Sequence, residues 1–198
     1  MRDMPENPAP AEYTPALIDK GSTLIPPLGG AEQRINRIGS KFRVTFTMPI
    51  MENKGQGKRF INRLIRGKSE GVRMLFPLGG VDVGNVGSPT IAGANQIGRL
   101  ISMKGFNSGY VLEEGNPLSI TDAEGRHYLH FVDQDVIADA QGNAQVIINP
   151  ALRVIFPDNS QIHFDAPKIE GLVEGDEYEW TVSVEKLIGI EFSIRERK

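Results

Sequence analysis

From Lys41 to Met48 the chain reads KFRVTFTM, with Phe42, Val44, Phe46 and Met48 alternating against Lys41, Arg43, Thr45 and Thr47. A period of two is that of a strand with one buried face, and Pro49 ends it. From about Gln56 to Arg66 the period changes. Phe60, Ile61, Leu64 and Ile65 fall at i, i+1, i+4 and i+5, one apolar stripe on a helix. Lys58, Arg59, Arg63 and Arg66 lie on its flanks and outer face, and Gly67 is placed to cap its C-terminus. A second strand follows, with Val72, Met74 and Phe76 on one face.

Residues 78–98 are glycine-rich and weakly periodic, which predicts a long loop. Short strands then recur at Leu100–Lys104, Leu118–Thr121, Arg126–Val132, Ala144–Ile148, Leu152–Phe156 and Gln161–Phe164. Turn signals separate them at Glu114–Gly115–Asn116, Glu124–Gly125, Gln141–Gly142–Asn143 and Pro157–Asp158–Asn159. That spacing suits a small barrel or sandwich. Near the end, Tyr178, Trp180, Val182 and Val184 alternate with polar residues. After a turn at Glu185–Leu187, so do Ile188, Ile190, Phe192 and Ile194. This terminal hairpin is expected to pair with the 41–48 and 71–76 strands, making residues 34–78 and 172–198 one sandwich and 99–171 an inserted barrel.

Residues 1–33 hold Pro5, Pro8, Pro10, Pro15, Pro26 and Pro27. Proline lacks the ladder donor, so this segment reads as an extended arm. It is either a frayed terminus or an arm lying on a neighbouring subunit, anchored by Tyr13, Leu17, Leu24 and Ile25.

Composition supports the same class. The 22 Gly and 13 Pro in 198 residues favour many turns over long helices. There is no Cys, which excludes disulfides and thiolate metal sites and fits a reducing compartment. The opening MRDMPENPAP carries Asp3 and Glu6 without an apolar stretch, unlike a secretory signal. No apolar run reaches the roughly 18 residues of a membrane span. A soluble chain without membrane contact is expected.

Charge changes the picture more. The formal net charge of −3 conceals a division. Between Arg34 and Arg73 stand 11 basic residues against Glu52 and Glu70, a formal +9, leaving 11 basic and 23 acidic residues, a formal −12, elsewhere. Such a division constrains partners rather than fold.

Catalytic and metal-binding patterns are weak. His127 and His130 lie three apart on a strand and so face opposite sides, and His163 stands alone, which leaves all three structural. Asp133, Asp135 and Asp139 lack the Gly and distant Glu of a calcium loop and read as a solvated turn. Gly55, Gly57 and Lys58 resemble a phosphate loop, but Glu52 stands where its first Gly belongs and Arg59 where Ser or Thr is needed. No G-x-S-x-G turn is present. The chain is therefore expected to be no enzyme, with no catalytic residue, cofactor or metal. The basic cluster remains. Nucleic-acid binding is disfavoured, because Phe42, Phe46 and Phe60 belong to core faces and the pI is near 5.7. Self-association suits it better, with Lys58, Arg59, Arg63 and Arg66 as a subunit interface in a head-to-tail ring.

Five stretches between residues 41 and 159 resemble the distal tail protein family of tailed bacteriophages. They are KFRVTFTMPIM, GQGKRFINRLIRG, GVRMLFPLGG, SPTIAGANQIGRLISMKGF and GNPLSITDAEGRHYLHFVDQDVIADAQGNAQVIINPALRVIFPDN. The resemblance implies a mainly β fold, a β-sandwich of tail-tube type with one flanking α-helix and an inserted small β-barrel. It implies a virion structural protein of the tail tip, assembled in the host cytoplasm into a ring, usually a hexamer. That ring would join the tail tube protein to the baseplate hub and tape-measure proteins, and no catalytic residues come with it. Another ring of the tail tip or a tail-terminator-like protein, a nucleic-acid-contacting module using the basic patch, and a carbohydrate-active or carbohydrate-binding barrel using Tyr110 or Tyr128 are the alternatives.

Overall fold

The computed structural model describes residues 1–175, 177 and 179–197. The protein is mainly β, with one helix among the described residues. Two six-stranded sheets dominate. The first has the spatial order Arg2–Asp3, Val72–Leu75, Lys168–Val173, Glu191–Glu196, Lys41–Thr47, Glu12–Ile18. Only its first pair is parallel. The second takes all its strands from residues between Gly87 and His163, in the order Ile162–His163, Pro117–Thr121, His127–Val132, Asn143–Asn149, Leu100–Phe106, Gly87–Ile91. Its two edges nearly meet. Thr90 bridges Gln161, the Ile91 N–H donates to Ser160 O (2.9 Å) and the Asn159 N–H to Ile91 O (3.0 Å). This closes a small barrel and removes two edges that would otherwise expose unpaired backbone.

Each sheet has its own core. Phe42, Val44 and Phe46 of the first sheet share one buried cluster with Phe60, Ile61 and Leu64 of the helix, joined by Val72, Met74, Ile169 and Ile194. The barrel encloses Ile91, Ile101, Met103, Leu118, Ile120, Val146, Ile148, Phe156 and Phe164. Leu129 and Phe131 stand on a barrel strand, yet they pack into the first core. There Phe131 meets Phe42 and Phe76 edge-on at 5.0 and 5.6 Å.

Several details differ from the sequence reading. The helix runs Gln56–Glu70, and its cap is Gly71, at φ 83°. Gly67 is instead a buried interior residue at a close approach: a Cβ there would lie 2.5 Å from Val72 Cγ1 and 2.9 Å from Val173 Cγ2. The buried arc runs through Gly57, Phe60, Ile61, Leu64 and Gly67, so Ile65 lies off it and is 51% exposed. Residues 78–98 contain the Gly87–Ile91 strand. Its period is hidden by Pro89 and by a register shift between Gly87 and Thr90. Leu152–Phe156 forms no strand. Leu152 and Phe156 are both buried, and the Arg153 side chain is turned inward as well, so alternation there does not mark a pleat.

The arm is extended but paired. Arg2–Asp3 and Glu12–Ile18 are the two edges of the first sheet, and Ser22–Leu24 forms a hairpin with Gln33–Ile35. Pro15 is tolerated because the outer side of an edge strand needs no donor. Tyr13 packs edge-on against Phe76 at 5.4 Å, whereas Leu17, Leu24 and Ile25 are exposed. In the terminal hairpin Tyr178 lies outside the described residues. Among the described residues of that limb only Thr181–Val182 is strand, and it is exposed. The second limb divides. Leu187–Gly189 pairs with Thr181–Val182 and Met51–Glu52, while Glu191–Glu196 pairs with Lys41–Thr47. On its other side Glu191–Glu196 pairs with Lys168–Val173, and that strand, missed in the sequence, separates it from Val72–Leu75.

Candidate functional site

A helix packed by one arc turns the opposite arc to solvent, at about 100° per residue. Lys58, Arg59 and Arg66 occupy the arc opposite Phe60 and Leu64, and Arg63 borders it. Lys58, Arg59 and Arg66 are exposed, with Asn62 and Ile65 between them; Arg63 is half-buried at the flank. Arg63 donates to the Asp3 carbonyl, tying the helix to the first strand, and Arg66 pairs with Glu70 at 3.0 Å. Lys58 and Arg59 make no ion pair among the described residues. The helix has no acidic residue in its first turn and no side-chain cap at Gly55. Positive charge at that end adds to the positive pole of the backbone dipole rather than offsetting it. Local helix stability therefore does not explain Lys58 and Arg59, which with Arg63 and Arg66 make one side of the helix cationic.

The buried polar chemistry lies elsewhere, where the first sheet meets the barrel. The His127–Val132 strand pairs with Pro117–Thr121 along one side, but on the other it pairs with Asn143–Asn149 only at Phe131 and Val132. The next outward N–H groups would be orphaned. Instead the His127 N–H donates to Glu170 (3.2 Å) and the Leu129 N–H to Glu196 (2.8 Å). Glu196 also accepts from the Phe42 N–H at 2.7 Å. Two carboxylates on the first sheet therefore stand in for a missing strand of the second.

Each carboxylate has a cation. Arg73 Nε donates to Glu170 at 2.6 Å, and its Nη2 reaches the Gly125 carbonyl at 2.5 Å. Arg153 lies 2.8 Å from Glu196, both side chains only 2% exposed. Its N–H groups are not aimed at that oxygen, so the attraction is Coulombic rather than a hydrogen-bonded fork. The guanidinium also lies over the Tyr128 ring, 5.4 Å from its centroid.

All three histidines belong to this junction. His163 does not stand alone: its ring lies 5.2 Å from that of His127, and Thr121 Oγ1 joins them at 3.0 Å to His163 Nε2 and 3.5 Å to His127 Nδ1. His130 is fully buried with Nδ1 2.8 Å from the Pro150 carbonyl. Burial pushes His127 down to about 3, helped by Arg73, and pushes His130 down to about 3, helped by Arg153. Both rings are neutral at pH 7. Burial likewise raises the Tyr128 hydroxyl to about 12.

The acidic turn is occupied by its own backbone and neighbours. Asp139 accepts from the Gln141 and Asn143 N–H groups (2.8 Å each), Asp135 from the Glu114 N–H (2.7 Å), and Asp133 pairs with Arg99 (2.8 Å). Among the described residues no three His, Asp or Glu side chains converge as a metal site requires. No described helix is long and apolar enough to cross a membrane. Tyr110 is committed to the Val83 carbonyl at 2.7 Å, and Tyr128 to Asp122 at 3.1 Å.

Glu170, Glu196 and Arg153 were not singled out in the sequence. A signal existed for Glu196: continuing the alternation of Phe192 and Ile194 by two places points it inward. Together, fold and site define a mainly β protein with a cationic helix on one sheet and a buried ionic seam joining that sheet to a small barrel. No protein-family model matches the chain, and no curated protein is significantly similar to it.

Proposed function

We propose that this chain is a structural protein of a tailed-phage tail tip, forming a closed ring between tail tube and baseplate hub. One observation carries the reading: the cationic outer face of the helix, with Lys58, Arg59 and Arg66 exposed and Arg63 at its flank, on a protein that is otherwise acidic. A heterologous contact between unlike surfaces generates a ring when its rotation closes. The buried seam supports the same reading, since a ring under load needs subunits that transmit force without hinging. The sequence resemblance supplies the neighbours: the tail tube protein on one side, hub and tape-measure proteins on the other. The chain works in the virion after assembly in the host cytoplasm, as a scaffold rather than an enzyme.

Native mass spectrometry and negative-stain imaging test this. The wild-type chain is expected as rings, with six copies the leading number. The triple variant Arg59→Glu/Arg63→Glu/Arg66→Glu is expected to be monomeric with unchanged circular dichroism. A wild-type chain that stays monomeric at high concentration and in phage lysate overturns the reading. Steeply salt-dependent DNA binding by the wild type, lost in the variant, would assign the cationic arc to nucleic acid instead.

A further inference from the structure

The cationic arc needs a counterpart, and the chain carries one. Across the first sheet from the helix lies a groove of about 690 Å³. Its Thr47, Glu191 and Ser193 point away from the core face that carries Phe46 and Ile194, while Met48, Ile190 and Phe192 border it from that core. Its lining includes Glu174, Glu177, Glu179 and Glu191, together with Ile50 and Trp180, which are 72% and 41% exposed. Glu174 is partly engaged, 3.6 Å from Arg43 and 3.4 Å from Arg195. Glu177, Glu179 and Glu191 make no ion pair among the described residues.

We infer that this groove seats the cationic helix of a second copy of the chain, each subunit giving its helix to one neighbour and its groove to the other. The inference rests on the ring reading above and names the surface that completes its joint. Four observations carry it. The charges left without an ion pair among the described residues are opposite, Lys58 and Arg59 on the helix against Glu177, Glu179 and Glu191 in the groove. Both surfaces mix charge with apolar area, Ile65 on the helix and Ile50 with Trp180 in the groove. The groove is open along the surface, so a row of side chains from a helix can enter it. Finally, Thr47, Glu191 and Ser193 of the groove point away from the sheet face that packs on the helix, and a contact between these two unlike surfaces of separate molecules propagates head to tail. Complementary charge gives such a contact its register and speed, while the apolar centre excludes water.

The decisive experiment uses two full-length charge-reversed chains. One carries Arg59→Glu/Arg63→Glu/Arg66→Glu, the other Glu177→Lys/Glu179→Lys/Glu191→Lys. Each alone is expected to be monomeric by native mass spectrometry, with association weakened more than about tenfold. Mixed one to one they should assemble, because each chain's helix then opposes the other's groove, and the particles should contain both chains equally. A groove variant that assembles alone as the wild type does overturns the groove while leaving the ring reading intact. Folded single variants that stay monomeric when mixed overturn the pairing of these two surfaces. A wild-type chain that never assembles removes both proposals. Should lysines in the groove disturb folding, the milder Glu177→Gln/Glu179→Gln/Glu191→Gln chain replaces them. It is expected to associate less tightly than wild type, and equal association counts against the groove.

Discussion

Glu196 illustrates how one residue decides a large free energy through what it prevents. It accepts from two backbone N–H groups on different sheets and neutralises Arg153. Changing it to Gln keeps an acceptor but leaves a guanidinium buried and unmatched. Breaking a buried pair from one side costs about 3–5 kcal/mol, so the urea midpoint of Glu196→Gln should fall sharply. Adding Arg153→Met to that variant should recover part of the loss, because the unmatched charge goes with it. The histidines add a pH dependence. In the unfolded chain they titrate near 6.5, whereas folding holds His127 and His130 down to about 3. Between those values the unfolded state binds more protons, so stability is full above about pH 6.5 and falls as pH drops toward 3. The slope is at most about 1.4 kcal/mol per pH unit for each histidine, and solvent near His127 reduces its share. Denaturation measured from pH 7 to 4.5 should show this decline, and a His127→Gln/His130→Gln chain should show a flatter one.

At the scale of elements, the helix sits where it does because two glycines let it come close. A Cβ on Gly57 would be 2.5 Å from the Glu52 carbonyl, and one on Gly67 would be 2.5 Å from Val72 Cγ1. Alanine at Gly67 would gain about 1 kcal/mol of helix propensity. It would also push the helix off the first sheet, at an overpacking cost of about 1–3 kcal/mol. The second effect wins, so Gly67→Ala is expected to be destabilising. Thermal melts against an exposed-site control, Asn62→Ala, would show it. An equal or higher melting temperature for Gly67→Ala would mean that the close approach is not limiting.

For the whole molecule, the seam implies cooperativity. Leu129 and Phe131 lend barrel side chains to the first core, and Glu170 and Glu196 bind barrel backbone from the first sheet. Calorimetry should therefore record one unfolding transition despite two cores. The Glu170→Gln/Glu196→Gln chain is expected to broaden it or split it in two. Assembly through the helix should in turn weaken as salt rises, because exposed charges are screened over roughly 8–10 Å at physiological ionic strength. Sedimentation across a salt series reads this directly.

The alternation of residues 41–48 and 72–76, the helical stripe, and the outward position of Lys58, Arg59 and Arg66 were legible because period and burial are local properties of the chain. So was the mainly β class, carried by turn chemistry and spacing. The helix end, the strand hidden in residues 78–98 and the pairing of the arm were not. Gly67, Pro89 and Pro15 carry meanings set by what lies against them, and a neighbour distant in sequence leaves no periodic trace. The same holds for the seam. Glu170, Glu196 and Arg153 are ordinary charged residues in a list of letters, and burial alone made them a joint. By itself, then, the sequence determined which residues seek a core and which helix arc stays charged. Tertiary structure alone decided that two carboxylates replace a strand and that an acidic groove lies on the sheet that carries the basic helix, because both depend on segments brought together from distant parts of the chain.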